Sequence, residues 1–346
     1  MLTFCTLFDF NYLDKGLVLH ESLSGVMEKF KLYILAMDDT CEKILNQLQL
    51  KNVTIISQKE FEDEELAKIK RERSRAEYCW TCTASLIDYV FETYKEEYCT
   101  YIDSDLYFYQ NPQCLIEEML DAGASVQIVE HGFGKGRRAE KQLKNSGRFC
   151  VQFNTFHNDE AGREVLSTWK RQCRNHCSME VNEMGDQKYL SEWPERYSQV
   201  HVLEHQGGGV APWNVARFSL SKNKEGILVD KKTKKEYELI FYHFHHLEYL
   251  DEHTVNINAF KKGIGADEKL VYGIYLPYLK ALDHAKKMLY KKFGLMPMIT
   301  SHPGFVKQSR MEKVKMIRET GVIEIYDRIV EKIIYLQGKK KDIVNI

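Results

Sequence analysis

No stretch of this 346-residue sequence approaches the roughly 18 unbroken apolar residues that a membrane-spanning helix requires, so such a helix is not expected. Neither sign of charge is in large excess, the formal net charge being −1. Global electrostatics therefore favour no polyanion, and nucleic acid is not an expected partner. Residues 2–8 are apolar but carry neither the basic leader nor the longer apolar core of a secretory signal, so export is not expected. The nine cysteines are odd in number and scattered over the first half of the chain, as thiols are in a reducing compartment rather than in a disulfide framework. No internal repeat is present. The expected setting is the cytoplasm.

What the chain does contain is 44% hydrophobic residues, ample for a packed interior. Its length allows two ordinary domains, but open α/β enzymes of this size often share one core, so one large domain with a C-terminal appendage is expected. The appendage differs in charge from the body. Residues 286–346 hold 14 Lys or Arg against 6 Asp or Glu, a local net of +8 that leaves −9 on the rest.

Short apolar runs at 2–8, 32–37 and 53–56 read as buried strands, and the helix-like stretches 16–30 and 41–50 lie between them. Strand alternating with helix predicts a parallel sheet covered on both faces. A charged helix at 61–73 and an apolar one at 79–94 lead into a strand at 99–103, with further strands at 124–129 and 149–156 and a helix at 161–174. Gly207-Gly208-Gly209 with Pro212 reads as a flexible loop, and 239–244 as a last apolar segment ending among histidines.

The strongest chemical signal is Tyr101-Ile102-Asp103-Ser104-Asp105. Two carboxylates two residues apart at a strand end point to one side and share a hard divalent cation, for which oxygen ligands suit Mg2+ or Mn2+. The bland reading is a polar turn after a strand.

Thr6-Leu7-Phe8-Asp9, Asp103-Ser104-Asp105, Gly185-Asp186-Gln187 and Tyr242-His243-Phe244-His245, in this chain order, resemble the A-type glycosyltransferases over roughly residues 1–250. The likeness is to the glycogenin and bacterial galactosyltransferase group and the bacterial nucleotide-diphospho-sugar transferases related to it. It implies an α/β fold, a Rossmann-like mixed sheet flanked by helices, with a helical C-terminal appendage. The catalytic domain is expected at 1–265, its nucleotide-binding part at about 1–110 and its acceptor part at about 111–265, and a basic helical region at 266–346. The implied activity is metal-dependent transfer of a hexose, with retention, from a UDP-sugar donor to a saccharide or lipid-linked acceptor in polysaccharide biosynthesis. A catalytically inactive sugar-nucleotide-binding or scaffold protein of the same fold is the alternative.

Residue by residue, the resemblance places Thr6, Phe8, Asp9 and Tyr12 at the nucleotide, where an aromatic stacks on a base and a carboxylate accepts its N–H. Core packing is the rival reading for Phe8. Arg75, Asp103, Ser104 and Asp105 face the donor, with Asp103, Asp105 and His243 as metal ligands and His245 competing with His243. Asp186 and Gln187 stand beside the transferred sugar, Gln187 stabilising an oxocarbenium-like centre; helix capping is the rival role for Asp186. The sequence departs from the family where position 246 is His instead of the usual Gly, and where Leu247-Glu248-Tyr249 replaces Lys-Pro-Trp.

Glu130, His131 and the glycine-rich basic stretch 132–138 read as a loop over the site, and Trp213 as a wall on the acceptor side. Cys79-Trp80-Thr81-Cys82 with Cys173, His176 and Cys177 offers zinc-like ligands, but both groups lie at helix ends, which favours buried thiols. Residues 322–336 read as an amphipathic helix with a basic end, docking on the body or on a second subunit of a homodimer, or making peripheral contact with an anionic inner membrane face. A phosphohydrolase also uses Asp-x-Asp, but its nucleophile strand lies earlier and is followed by Thr or Val, whereas Leu106-Tyr107 follow here.

Overall fold

The computed structural model describes residues 1–180, 185–222, 224, 226–251, 254–295 and 341–345. The chain opens with β1 (Leu2–Phe8), α1 (Leu13–Val26), β2 (Phe30–Ala36), α2 (Asp39–Leu48) and β3 (Val53–Ser57). Short α3 (Gln58–Phe61) and α4 (Glu64–Glu72) precede the long α5 (Arg75–Tyr94) and β4 (Tyr98–Ile102). Next come β5 (Leu106–Phe108), α6 (Gln113–Asp121), β6 (Val126–Glu130), α7 (Arg137–Ser146), β7 (Phe149–His157) and α8 (Glu160–Asn175). The remainder holds α9 (Trp193–Arg196), β8 (Val200–Val202), β9 (Gly208–Val210), β10 (Phe218–Leu220), β11 (Ile227–Asp230), β12 (Glu236–Glu238), β13 (Phe241–His243), β14 (Glu248–Tyr249) and β15 (Thr254–Asn256). It closes with α10 (Ala259–Lys262), α11 (Glu268–Phe293) and β16 (Ile343–Asn345).

The central sheet runs β3-β2-β1-β4-β7-β6-β8. Its first four strands are parallel, as strand-helix alternation dictates, and β7 is antiparallel to both β4 and β6. This is the α/β mixed sheet flanked by helices that the resemblance implies. Along β1 the side chains alternate between two buried clusters: Phe4 and Phe8 join α1, α6 and α11, while Cys5 and Leu7 join α5 and α8. Apolar residues on both faces make the strand a hydrophobic run broken only by the buried Thr3 and Thr6. Helix starts follow local chemistry: Asp38 caps α2 by accepting from Cys41 N at 2.8 Å, and Ser74 with Glu77 closes a capping box on α5.

Tyr275, Tyr278 and Leu282 of α11 belong to the cluster that contains Leu17 of α1, so this C-terminal helix packs on the body. The strand β16 pairs with β15, and Asp342 accepts from Phe260 N at 2.8 Å and Lys261 N at 2.9 Å. Among the described residues no helix is long and apolar enough to cross a membrane. The expected amphipathic helix at 322–336 lies outside the described residues.

The three glycines at 207–209 are not a flexible loop. Gly208 and Gly209 lie in β9, buried and parallel to β13. A Cβ at Gly207 would sit 1.7 Å from Glu238 O, one at Gly208 2.7 Å from Leu115 Cδ1 and one at Gly209 2.7 Å from Val129 Cγ1. Close approach of neighbouring chain, not mobility, requires glycine there. The basic stretch also divides: residues 131–136 are irregular and α7 begins at Arg137.

Gly207→Ala is therefore expected to destabilise by about 3 kcal/mol or more, and Gly134→Ala, where no atom lies within 4 Å, to stay within about 0.5 kcal/mol, as judged by urea denaturation. Glu96 gives a pH test. It accepts from Lys31 Nζ at 2.6 Å, Tyr33 OH at 2.7 Å and Thr3 Oγ1 at 3.1 Å, joining β1 and β2 to the turn before β4. Burial pushes its carboxyl up, but these donors outweigh burial and hold it below the usual range. A folded value below the unfolded one is stability present at neutral pH and lost as pH falls through the folded value. Glu96→Gln should cost about 1–3 kcal/mol at neutral pH, and the gap from wild type should close in acid; a gap independent of pH would refute the assignment.

Candidate active site

The parallel strands β2, β1 and β4 end side by side, and each is followed by acid: Asp38 after β2, Asp9 after β1 and Asp103 after β4. The crevice beyond the carboxyl ends of such strands is where open α/β sheets bind ligands. Here the crevice is acidic from the first turn.

The chain turns sharply after β4. Leu106 N donates to Asp103 O at 3.2 Å, and β5 then leaves the central sheet to pair antiparallel with β13. In that pairing His243 faces Leu106, and Phe244 N donates to Asp105 O at 2.9 Å. The register alone thus delivers His243 to the acid turn from 138 residues away in the chain. Its Nε2 lies 3.0 Å from Asp105 Oδ1 and 3.7 Å from Asp103 Oδ2, while Nδ1 donates to Gln152 Oε1 at 2.7 Å. His245 follows on the same side, and ligand atoms of Asp105, His243 and His245 lie within 4.8 Å of one another.

Crowding shapes the charges. Burial, with Asp105 adding to it and His243 opposing, raises Asp103 to about 6. Burial also pushes Asp105 up, but the His243 imidazole overrides it and holds the carboxyl below its usual range. His243 is itself raised well above an ordinary histidine, since the two acids outweigh its burial. His245 is held well below an ordinary histidine, first by burial and then by Lys262, His246 and His243. Two carboxylates and imidazole nitrogens around one point, with Gln152 fixing one ring from behind, fit a hard divalent cation by donor chemistry and by the anchored second nitrogen.

On the nucleotide side, Asp9 accepts from Asn11 N at 2.8 Å and pairs with Arg75. Arg75 also reaches Asp38 Oδ2 at 3.1 Å, and 55% of its side chain is exposed, so its guanidinium is tied to two acids at the crevice rim. Burial raises Asp9 above its usual range, with Arg75 opposing. Thr6 is wholly buried and its Oγ1 has no hydrogen-bond partner. Phe8 is a core side chain, its ring lying where a Cβ on Gly16 would stand at 2.3 Å. Tyr12 is exposed, and the nearly buried Lys15 ammonium stands 4.5 Å over its ring and 5.3 Å over that of Tyr249. Tyr249 OH donates to Asp14 Oδ2 at 2.5 Å, which pins β14 to the start of α1. Ser104 is buried within the acid turn.

Asp186 is buried and raised to about 7, chiefly by burial, against a hydrogen bond from Thr83 and with repulsion from Asp103. Its side chain makes no capping bond, and Gln187 opens a 3-10 helix, Gln187–Glu192. Gly185 before it has φ +60, and a Cβ there would sit 2.8 Å from Trp80 Cε3, so the Trp of the Cys79-Trp80-Thr81-Cys82 segment props this turn. The cysteines themselves, 79, 82, 173 and 177, form no metal-ligand group among the described residues.

Opposite stands an aromatic wall. Trp213 meets His243 and His245 edge-on, each with ring centroids 5.3 Å apart, and its Nε1 donates to His131 O at 2.8 Å. His246, at the position where the family usually has Gly, takes φ +62, the left-handed backbone that glycine favours, and its carbonyl accepts from Asn258 Nδ2 at 2.7 Å. Lys262, brought down to about 7 by burial and Lys261 against the pull of Asp105, lies near the same acids. Sequence reasoning missed Lys15, Lys262, Cys150 and Gln152. Only Gln152 had a signal: with Asn154 it is a polar break in the apolar run of residues 149–153 and the strand that continues it.

No family model matches the chain. Among solved structures, the galactosyltransferase LgtC in complex with donor and acceptor sugar analogs is 14% identical with a TM-score of 0.47, over 70% of this chain and 87% of that one. The glycosyltransferase GlyE of Streptococcus pneumoniae TIGR4 is 18% identical with a TM-score of 0.42, over 62% of this chain and 47% of that one, so this chain spans about half of GlyE. In sequence, uncharacterized protein YfnD of Bacillus subtilis (strain 168) is 28% identical over 281 residues, 80% of this chain and 87% of its own length. Uncharacterized protein YfnF of the same strain is 30% identical over 247 residues, 70% of this chain and 80% of its own length. At that identity and coverage, the chain belongs to the family of YfnF.

Proposed function

We propose that the chain is a metal-dependent glycosyltransferase that moves a hexose from a UDP-sugar to a saccharide or lipid-linked acceptor, with retention. The observation that carries this reading is the meeting of Asp103 and Asp105, in the turn after β4, with His243 of β13 at the carboxyl ends of the parallel strands. The resemblance of the four motifs in chain order supports it.

In this reading Asp103, Asp105 and His243 hold Mn2+ or Mg2+, and Gln152 fixes the imidazole so that Nε2 faces the ion. The ion, when bound, neutralises the leaving diphosphate, a contribution on the order of several kcal/mol in the transition state. Asp9 accepts the base N–H, Thr6 and Tyr12 line the nucleotide side, and Ser104 shapes the turn beneath the donor; Phe8 supports this floor from the core. Arg75 orients Asp9 and Asp38 and answers the donor's negative charge from the rim. Asp186, raised to about 7, shares its proton with sugar hydroxyls as donor and acceptor, and the Gln187 carbonyl faces the oxocarbenium-like centre. Trp213 offers an indole face for a sugar ring of the acceptor. Residues 1–265 form the catalytic unit, about 1–110 serving the nucleotide and 111–265 the acceptor. The stretch 322–336 with its basic end serves docking on the catalytic body or on a second subunit, or peripheral contact with an anionic inner membrane face.

Nucleotide release from a panel of UDP-, GDP- and CDP-sugars, with an acceptor panel present, should depend on manganese and on one donor. It should fall by about 100-fold or more in Asp105→Asn, a loss of about 2.7 kcal/mol or more of transition-state stabilisation. Turnover untouched by Asp105→Asn would end the metal reading. Gln152→Leu keeps all three ligands but removes the acceptor for His243 Nδ1, so manganese affinity by calorimetry should drop about 10–100-fold.

A further inference from the structure

β7 runs beside the acid turn, its Gln152 O accepting from Asp103 N at 3.1 Å. Cys150 stands two residues before Gln152 on the same strand, where the pairing with β6 shifts register, and both side chains meet His243 on one face. Gln152 reaches His243 Nδ1 from that face, and Cys150 is buried there, 4% exposed. Its Sγ, an imidazole nitrogen of His243 and a carboxylate oxygen of Asp103 lie within 4.8 Å of one another. Two donor sets therefore overlap on one histidine, one of carboxylate and imidazole alone, the other containing sulfur. They differ in what they prefer. Mn2+ and Mg2+ favour oxygen in an octahedral shell, whereas Zn2+ binds thiolate, imidazole and carboxylate in a compact tetrahedron.

We propose that Asp103, Cys150 and His243 form a zinc-capturing set, and that zinc held there excludes the manganese- or magnesium-bound state because both need Asp103 and His243. The inference rests on the transferase reading only for the identity of the state that zinc displaces. Binding converts the Cys150 thiol to a thiolate, its proton passing to solvent, and leaves Asp105 outside the set. The three protein donors leave one tetrahedral position to water. The enzyme's metal choice is then a competition decided by one sulfur atom.

The test uses Co2+ as a spectroscopic stand-in for zinc, with the full chain under reducing conditions and no sugar donor. Wild type titrated with Co2+ should show a sulfur-to-cobalt charge-transfer band in the near ultraviolet, with the strong visible bands of tetrahedral cobalt. Cys150→Ser, and independently Cys150→Ala, should lose the charge-transfer band. In competition titrations both variants should bind zinc about tenfold or more weakly, a change of about 1.4 kcal/mol or more, with manganese affinity within about twofold of wild type. A wild type without the band, a band that survives both substitutions, or unchanged zinc affinity overturns the proposal. Because no sugar is involved, a chain that shows the Cys150-dependent band yet transfers no sugar upholds this inference and removes the transferase reading. A manganese-dependent transferase without the band does the reverse.

Discussion

Everything at the candidate site depends on one backbone junction. Asp105 O accepts from Phe244 N at 2.9 Å where β5, just departed from the central sheet, meets β13. That bond extends the β5–β13 pairing of the small sheet up to the acid turn and sets the separation of the carboxylates from the imidazole. A slip of one residue in β13 would turn His243 to the opposite face and put Tyr242 or Phe244 at the acids, because side chains alternate along a strand. The buried packing of Tyr242 and Phe244 against Tyr275 and Tyr278 of α11 opposes such a slip, so the C-terminal helix helps to hold the register. Packing far from the crevice is thus linked to the geometry inside it.

The electrostatic logic follows from that geometry. Two acids forced together beside one imidazole leave Asp103 raised and His243 strongly basic, a state that a cation relieves. Around them lie buried polar groups that the protein does not satisfy. Thr6 Oγ1, Gln152 Nε2 and both amide atoms of Asn154 have no hydrogen-bond partner. Each unsatisfied group costs about 1–3 kcal/mol, and such groups are rare unless a ligand or solvent completes them.

Much of this was legible in the residues and some was not. Strands β1, β2, β4, β7 and β13, and helices α1, α5 and α8, announced themselves by apolar runs or helical spacing, since burial on both faces of a sheet leaves no other pattern. The acid turn was legible because two carboxylates two residues apart at a strand end point to one side, and the companion motifs elsewhere in the chain set it apart from an ordinary polar turn. The antiparallel insertion of β7 was not, because hydrophobicity records burial and not direction. The glycines of 207–209 misled for a related reason: glycine serves both mobility and close approach, and only the positions of Leu115, Val129 and Glu238 decide which. Phe8, placed at the nucleotide by resemblance and in the core by periodicity, is a core residue. Cys150, Lys15 and Lys262 gained meaning only when tertiary contacts brought them to the acids.

Manganese binding, followed by the loss of the free-ion paramagnetic resonance signal with and without UDP, tests the central claim most directly. One ion per chain, tightened by UDP and weakened strongly in Asp103→Asn, Asp105→Asn and His243→Ala, is the result this account predicts. Manganese binding that ignores all three substitutions, or that UDP does not alter, would contradict it.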